Sequence, residues 1–164
     1  MHAIITFIAQ YLLFILIAIA GIYWLKQDNI AKLKIALIGI VGSLIALILM
    51  KIGAALFYDP RPFVTHNIVP YFQHAADNGF PSDHTSLAVV LAVTIFFASR
   101  KIGIALFIGA ILVGSARVIA HVHSPIDIIG GLVIGIVSVY VSHYLYQVWL
   151  RRRRHVSVTK KRGA

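Results

Sequence analysis

The sequence contains no cysteine and no glutamate, and its five acidic residues, all aspartate, stand against fifteen Lys and Arg. Without cysteine there are no disulfides and no thiolate chemistry. Charge of either sign is scarce: 12% of the 164 residues are charged and 60% are hydrophobic. A soluble domain carries about twice that charged fraction. Mean hydropathy is +0.89. No repeat with a period of about 20–50 residues and no low-complexity linker is present. A solenoid, an array and a linked multidomain chain are thereby excluded in favour of one domain.

What fills the chain is apolar sequence in long runs. About 20 such residues cross a bilayer as a helix, and inside lipid the backbone must satisfy its own hydrogen bonds. The expected fold class is therefore all-α, a polytopic membrane helical bundle with about five transmembrane helices at residues 4–25, 33–57, 83–99, 102–120 and 126–150. Residues 1–150 form the membrane-embedded domain and residues 151–164 a basic tail. The first run lacks a basic leader and is too long for a signal-peptide core, so it is read as a retained span.

Basic residues orient the bundle. Lys26, Lys32 and Lys34 lie between the first two spans, and Arg100 and Lys101 between the third and fourth. The tail adds Arg151, Arg152, Arg153, Arg154, Lys160, Lys161 and Arg162. The other side has Arg61 and Arg117, while Lys51 lies within the second span. The positive-inside rule makes the crowded side cytoplasmic. The N-terminus, residues 58–81 and the turn 120–125 then face outward. The formal net charge of +10 resides mainly in the cytoplasmic ends, so no nucleic-acid partner is expected. Such residues anchor the protein to anionic lipid headgroups at about 1 kcal/mol each.

Ionisable residues in a membrane protein are rare and mark function. Here they gather at the outer level: Arg61 in "YDPRPF", Ser82, Asp83 and His84 in "FPSDHTS", and Arg117, His121, His123 and Asp127 in "SARVIAHVHSPID". Ser82 also suits a helix N-cap, with Asp83 in the first turn, and Ser124 with Asp127 suits a capping box with Pro125 at the first helical position. Caps do not explain two arginines and two histidines at one depth. His121 is read as structural, and His66, His74 and His143 as loop or interfacial residues. His123 and Asp127 are four apart, one helical turn, so the carboxylate can hold one imidazole nitrogen and leave the other free to attack. Helix N-termini at Asp83 and Pro125 direct N–H groups to the same region. Arg61 and Arg117 can grip phosphate oxygens in pairs. Together these features describe phosphoryl transfer, which depends on positioning and charge stabilisation.

With these residues in order, the sequence resembles the type 2 phosphatidic acid phosphatase superfamily, whose three blocks read K-x6-R-P, P-S-G-H and S-R-x5-H-x3-D. Arg61–Pro62, "PSDH" at residues 81–84, and Arg117 through His123 to Asp127 match them. The resemblance spans residues 51–150. It is strongest to bacterial undecaprenyl diphosphate phosphatases of the bacitracin-resistance type, in "DPRPF" and "HAADNGFPSDH". It implies dephosphorylation of a lipid phosphate through a phosphohistidine, with no metal or other cofactor, at the outer face of a bacterial cytoplasmic membrane. His123 would be the nucleophile, Asp127 its orienting partner, and His84 the acid that protonates the leaving oxygen and then activates water. Arg61, Ser82, Arg117 and backbone amides near Asp83 would bind phosphate.

Three positions depart from the pattern. Ala54 stands at the first-block lysine, with Lys51 one turn earlier as a substitute. Asp83 replaces the glycine and would pair with an arginine or with a group on a diphosphate. Ala116 precedes Arg117, with Ser115 one place off. The resemblance also implies a six-helix core, of which this chain supplies five, the missing one at the N-terminus. Other readings stay open on the residues. They are a phosphatidylglycerophosphate, phosphatidic acid or lipid A phosphatase, a metal hydrolase using His84, His121, His123 and Asp127, and a small transporter or interaction protein. For the last, Gly131 and Gly135 in GxxxG spacing would form an oligomer face or, alternatively, pack within the bundle.

Overall fold

A computed structural model of the chain describes the backbone of residues 1–162 and the side chains of residues 1–153. The end of the basic tail, including the side chains of Arg154, Lys160, Lys161 and Arg162, lies outside the described residues. In chain order the helices are α1 (His2–Leu25), α2 (Asn29–Leu56), the single turn α3 (Pro62–Thr65), α4 (Asp83–Phe96), α5 (Arg100–Ile119) and α6 (Pro125–Arg162). Among the described residues, α1, α2, α5 and α6 are long and apolar enough to cross a membrane. The protein is a polytopic helical membrane bundle.

Local chemistry sets the breaks between helices. Asp28 starts α2, its Oδ1 accepting from the N–H groups of Ile30 and Ala31 at 2.9 and 3.0 Å. The N–H groups of Ala98 and Ser99 turn back to the Ile95 carbonyl at 2.9 and 2.7 Å, ending α4 and leading into α5. The third expected span is thus a helix of 14 residues, about 21 Å long at 1.5 Å per residue, short of the ~30 Å hydrocarbon layer.

That short helix is the centre of the bundle. α4 packs against α1, α2, α5 and α6, whereas α1 and α2 touch each other little. Its Ala88, Val89, Val90, Ala92, Val93 and Ile95 are buried, and their modest size lets neighbours approach closely. A Cβ on Gly131 would lie 2.9 Å from the Ser82 carbonyl oxygen, and one on Gly135 would lie 2.7 Å from Val89 Cβ. The GxxxG face therefore packs on α4 inside the bundle. The outer helices expose Phe7, Phe14, Ile40, Leu47, Ile108 and Val133, the apolar outer surface that a bilayer requires.

α4 begins inside the start of α6. Ser82 N–H donates to the Asp127 carbonyl at 3.0 Å, and the Ser82 carbonyl faces Gly131. The chain between α2 and α4 lies over this recessed helix end, which is where the polar residues meet.

Candidate active site

The turn after α5 brings Arg117 and His123 together. His121 takes a left-handed conformation, φ 63°, which reverses the chain. The Arg117 carbonyl then accepts from the N–H groups of Val122 and His123 at 3.2 and 3.3 Å. Two side chains six positions apart become neighbours through one residue's backbone. The His121 ring stacks edge-on against Tyr71, centroids 5.6 Å apart.

His123 and Asp127 form the expected pair. His123 Nδ1 lies 3.0 Å from Asp127 Oδ2, and both residues are buried. Ser124 N–H also donates to Asp127 Oδ2, at 2.9 Å, which is one half of a capping box. The other half is absent, because the Ser124 hydroxyl donates to Asp59 Oδ2 across the loop. Arg61 Nη1 lies 3.3 Å from His123 Nε2. A guanidinium only donates, so Nε2 carries the lone pair and Nδ1 carries the proton given to Asp127. Burial, then the charges of Arg117 and Arg61, hold the His123 pKa below the ordinary imidazole value against the opposing hydrogen bond from Asp127. The neutral ring is thereby favoured, with its one Nε2 lone pair taken up by Arg61 Nη1.

The loop that closes over α4 is held by Asn78. Its Nδ2 donates to the carbonyls of Ala54 and Phe57 at 3.0 and 2.9 Å, filling the C-terminal end of α2. Its Oδ1 accepts from Asp59 and Phe80 N–H at 2.9 and 3.0 Å. Gly79 passes so close to the Asp127 carboxylate that a Cβ there would lie 2.6 Å from its Oδ2. The same loop holds Arg61, whose Nε donates to Asp77 Oδ1 at 2.8 Å and whose Nη1 donates to the Val122 carbonyl at 2.7 Å. The bond from Arg61 holds the Asp77 pKa below its ordinary value.

These elements enclose a cavity of about 900 Å³ whose walls include Lys51, Ala54, Arg61, His74, Asp77, Asp83, His84, Arg117 and His123. The expected residues His84, Arg61, Arg117, Asp83 and Lys51 thus share one space with His123. Asp83 is exposed in the first turn of α4, and the carboxylate paired with Arg61 is Asp77. Ser82 lies behind the cavity wall, fully buried, and its hydroxyl accepts from Thr85 Oγ1 at 3.1 Å instead of capping α4. Ser115 faces away, in a groove with Val118, Ile119 and Ile128. A second, apolar groove of about 470 Å³ runs between α1, α2 and α4, and Ser43, Leu87 and Val90 line both spaces.

Two side chains in the cavity were not expected there. His74, read from sequence as a loop or interfacial residue, has its Nε2 3.0 Å from Arg117 Nη2 and its ring 6.2 Å from that of His123. Asp77 pairs with Arg61. The available signal was the run "HAADNG", dense in polar residues within an apolar chain. His121 lies outside the cavity wall, and among the described residues no group of three His or Asp is placed to hold one metal ion.

The model of the PAP2 superfamily matches residues 32–151. The chain belongs to that superfamily. It is 33% identical over 137 residues to undecaprenyl-diphosphatase BcrC of Bacillus subtilis, covering 84% of this chain and 70% of that protein. It is 31% identical over 139 residues to a Bacillus licheniformis protein named bacitracin transport permease protein BcrC, covering 84% and 68%. The crystal structure of Aquifex aeolicus LpxE superposes with TM-score 0.63 and 25% identity, over 86% of this chain and 84% of that one. This PAP2 protein is a membrane phosphatase, so the transporter reading gives way to an enzyme. All three sequence blocks fall within the matched residues.

Proposed function

We propose that this PAP2 phosphatase hydrolyses a polyprenyl diphosphate, undecaprenyl diphosphate in particular, to the monophosphate and inorganic phosphate, recycling a carrier lipid of envelope synthesis. The observation that carries the reading is the His123–Asp127 pair at 3.0 Å, with Nε2 turned to Arg61 in a cavity shared with Arg117 and His84. The named diphosphatase relative supports the substrate. The apolar groove joined to the polar cavity suits a substrate with a polar head and a hydrocarbon tail.

In the proposed reaction the terminal phosphate sits between Arg61, Arg117 and the first N–H groups of α4, with Lys51 at the rim. As the phosphate draws Arg61 Nη1 off Nε2, His123 Nε2 attacks phosphorus. The bond from phosphorus to the bridging oxygen breaks, and His84 gives its proton to that oxygen as the lipid monophosphate leaves. Asp127 stabilises the positive charge that forms on the phosphorylated ring. His84, now neutral, takes a proton from water as the water attacks phosphorus. The bond from Nε2 to phosphorus breaks, phosphate departs, and the enzyme returns to its starting state. Ser82 acts from behind the wall by fixing the start of α4. Asp83 faces the cavity from the first turn, where it repels a second negative group unless that group carries a proton. By the charge pattern the site opens on the outer face, and Lys26, Lys32, Lys34, Arg100, Lys101 and the tail lie in the cytoplasm.

The test is phosphate release from undecaprenyl diphosphate by the detergent-purified chain, with and without EDTA. Release that survives EDTA and is abolished in His123→Ala is expected. Release lost to EDTA, or a fully active His123→Ala, would overturn the mechanism. Turnover of phosphatidylglycerophosphate with none of undecaprenyl diphosphate would overturn the substrate.

A further inference from the structure

His74 lies in the loop before α4, outside the three sequence blocks. Its Nε2 is 3.0 Å from Arg117 Nη2 and its Nδ1 is 3.3 Å from the Ala75 carbonyl. Arginine cannot accept a hydrogen bond. The Arg117 contact therefore needs a lone pair on Nε2, and the ring proton sits on Nδ1, facing the Ala75 carbonyl. The two partners fix both the tautomer and the neutral state. Phe72 lies on the same side, its ring 5.9 Å from the Arg117 guanidinium.

Arg117 is almost fully buried, at 2% exposure. Its Nη1 donates to the Ala9 carbonyl of α1 at 3.1 Å, and its Nε is buried without a partner. A guanidinium has five N–H donors. Ala9 takes one and His74 another, from different nitrogens, which fixes the plane of the group. Three donors remain, Nε–H and one hydrogen each on Nη1 and Nη2, and a guanidinium offers such hydrogens to phosphate in pairs.

Resting on the phosphatase reading above, we propose that His74 is a positioning residue for phosphate binding, which with the Ala9 carbonyl clamps Arg117 so that its remaining N–H donors grip the phosphate attacked by His123. Binding through two parallel bonds needs the donor plane set beforehand, and His74 sets it. The clamp works only with a neutral ring, because an imidazolium has no lone pair and would meet Arg117 as a like charge. The charged and titratable groups around His74 are Arg117 from α5, Arg61 and Asp77 from its own loop, His123 from the turn after α5, and Lys51, His84 and Asp83 elsewhere on the cavity wall. Burial, then the charge of Arg61, hold its pKa below the ordinary imidazole value, so the clamp is closed at neutral pH and opens in acid.

The test measures inorganic phosphate binding by calorimetry to the full chain in detergent, with KM and kcat on whichever lipid phosphate the enzyme turns over. His74→Ala is expected to weaken phosphate binding and raise KM about tenfold, the worth of one charge-assisted hydrogen bond, with kcat changed less than about threefold. His74→Gln, whose amide oxygen can accept from Arg117, is expected to recover most of that loss. As pH falls, phosphate affinity should weaken more in the wild type than in His74→Gln, a comparison that cancels the titration of phosphate itself. Matching thermal transitions of the two variants exclude misfolding as the cause. Unchanged phosphate affinity in His74→Ala, a loss confined to kcat, or no recovery in His74→Gln would overturn the proposal. Wild type that binds no phosphate would instead overturn the reading of the site on which the proposal rests.

Discussion

Asp127→Asn isolates charge from shape. Asp127 is 0% exposed and its Oδ2 accepts from His123 Nδ1–H and Ser124 N–H at 3.0 and 2.9 Å. The amide oxygen of Asn can accept both bonds, so His123 keeps its tautomer and position. Oδ1 is buried without a partner, and the amide nitrogen would inherit that place. One unsatisfied polar atom replaces another, so the thermal transition should move by only a few degrees. What disappears, on the proposed mechanism, is the negative charge facing a ring that becomes cationic once Nε2 is phosphorylated. Two unit charges about 4 Å apart at an effective dielectric of about 20 interact by about 4 kcal/mol, which is about a 10³-fold change in rate. Because the charge on the ring develops during reaction, the loss should fall on kcat, with KM within about threefold. Single-turnover assays with labelled lipid, quenched in alkali to preserve phosphohistidine, read the first step directly. A fall of less than about tenfold in that step, with the fold intact, would refute the charge role of Asp127.

Gly79→Ala places a methyl 2.6 Å from Asp127 Oδ2 and 3.1 Å from the Asp59 carbonyl oxygen; phosphate release should fall by at least about tenfold, because the carboxylate must shift. His121→Gly should retain activity and keep or raise the thermal transition, since glycine adopts φ 63° without the roughly 1–2 kcal/mol that other residues incur. A lost activity there would return His121 to the site. Asp77→Asn keeps an oxygen for Arg61 while removing a carboxylate that is 62% exposed; stability should change by under about 1 kcal/mol, and phosphate inhibition should tighten about two- to fivefold because a competing anion is gone. Weaker phosphate inhibition would contradict that account of Asp77.

The parts legible in sequence are those with a period or a fixed spacing. Apolar runs marked the long helices, and the four-residue step from His123 to Asp127 placed both on one face. Arg61, His84 and Arg117 were drawn by their rarity in an apolar chain. The parts that escaped depend on long-range contacts. Asp77 and His74 sit in a loop with no periodicity, and each is placed by a guanidinium 16 and 43 positions away. Asn78 bonds to carbonyls 21 and 24 positions back, which its neighbours do not disclose. Residue type points to a side-chain cap at Ser82, but the Thr85 hydroxyl donates to the Ser82 oxygen. The central place of α4 also escaped, because a helix apolar on most sides reads as one span among others until its neighbours are known.

The two arginines share a cavity but differ in how their charge is met. Arg61 has a carboxylate partner in Asp77, and that partner stands mostly in solvent, where an incoming anion can compete with it. Arg117 has a carbonyl, an imidazole and an unpartnered Nε, and among the described residues it makes no ion pair. Burying an ion without a counter-charge costs several kcal/mol, and the fold holds that cost in the tie from α5 to α1. On the proposed reading a phosphate supplies the missing charge, in the cavity that Arg117 shares with His123. Arg117 therefore gains most from the anion, while Asp77 keeps Arg61 oriented without closing the site. On the proposed mechanism affinity and chemistry are separate, with Arg117 and His74 setting how tightly phosphate is held and His123 with Asp127 setting how fast the bond breaks. Variants of the first pair should move KM and variants of the second should move kcat, which is why the two sets of measurements test different halves of the same site.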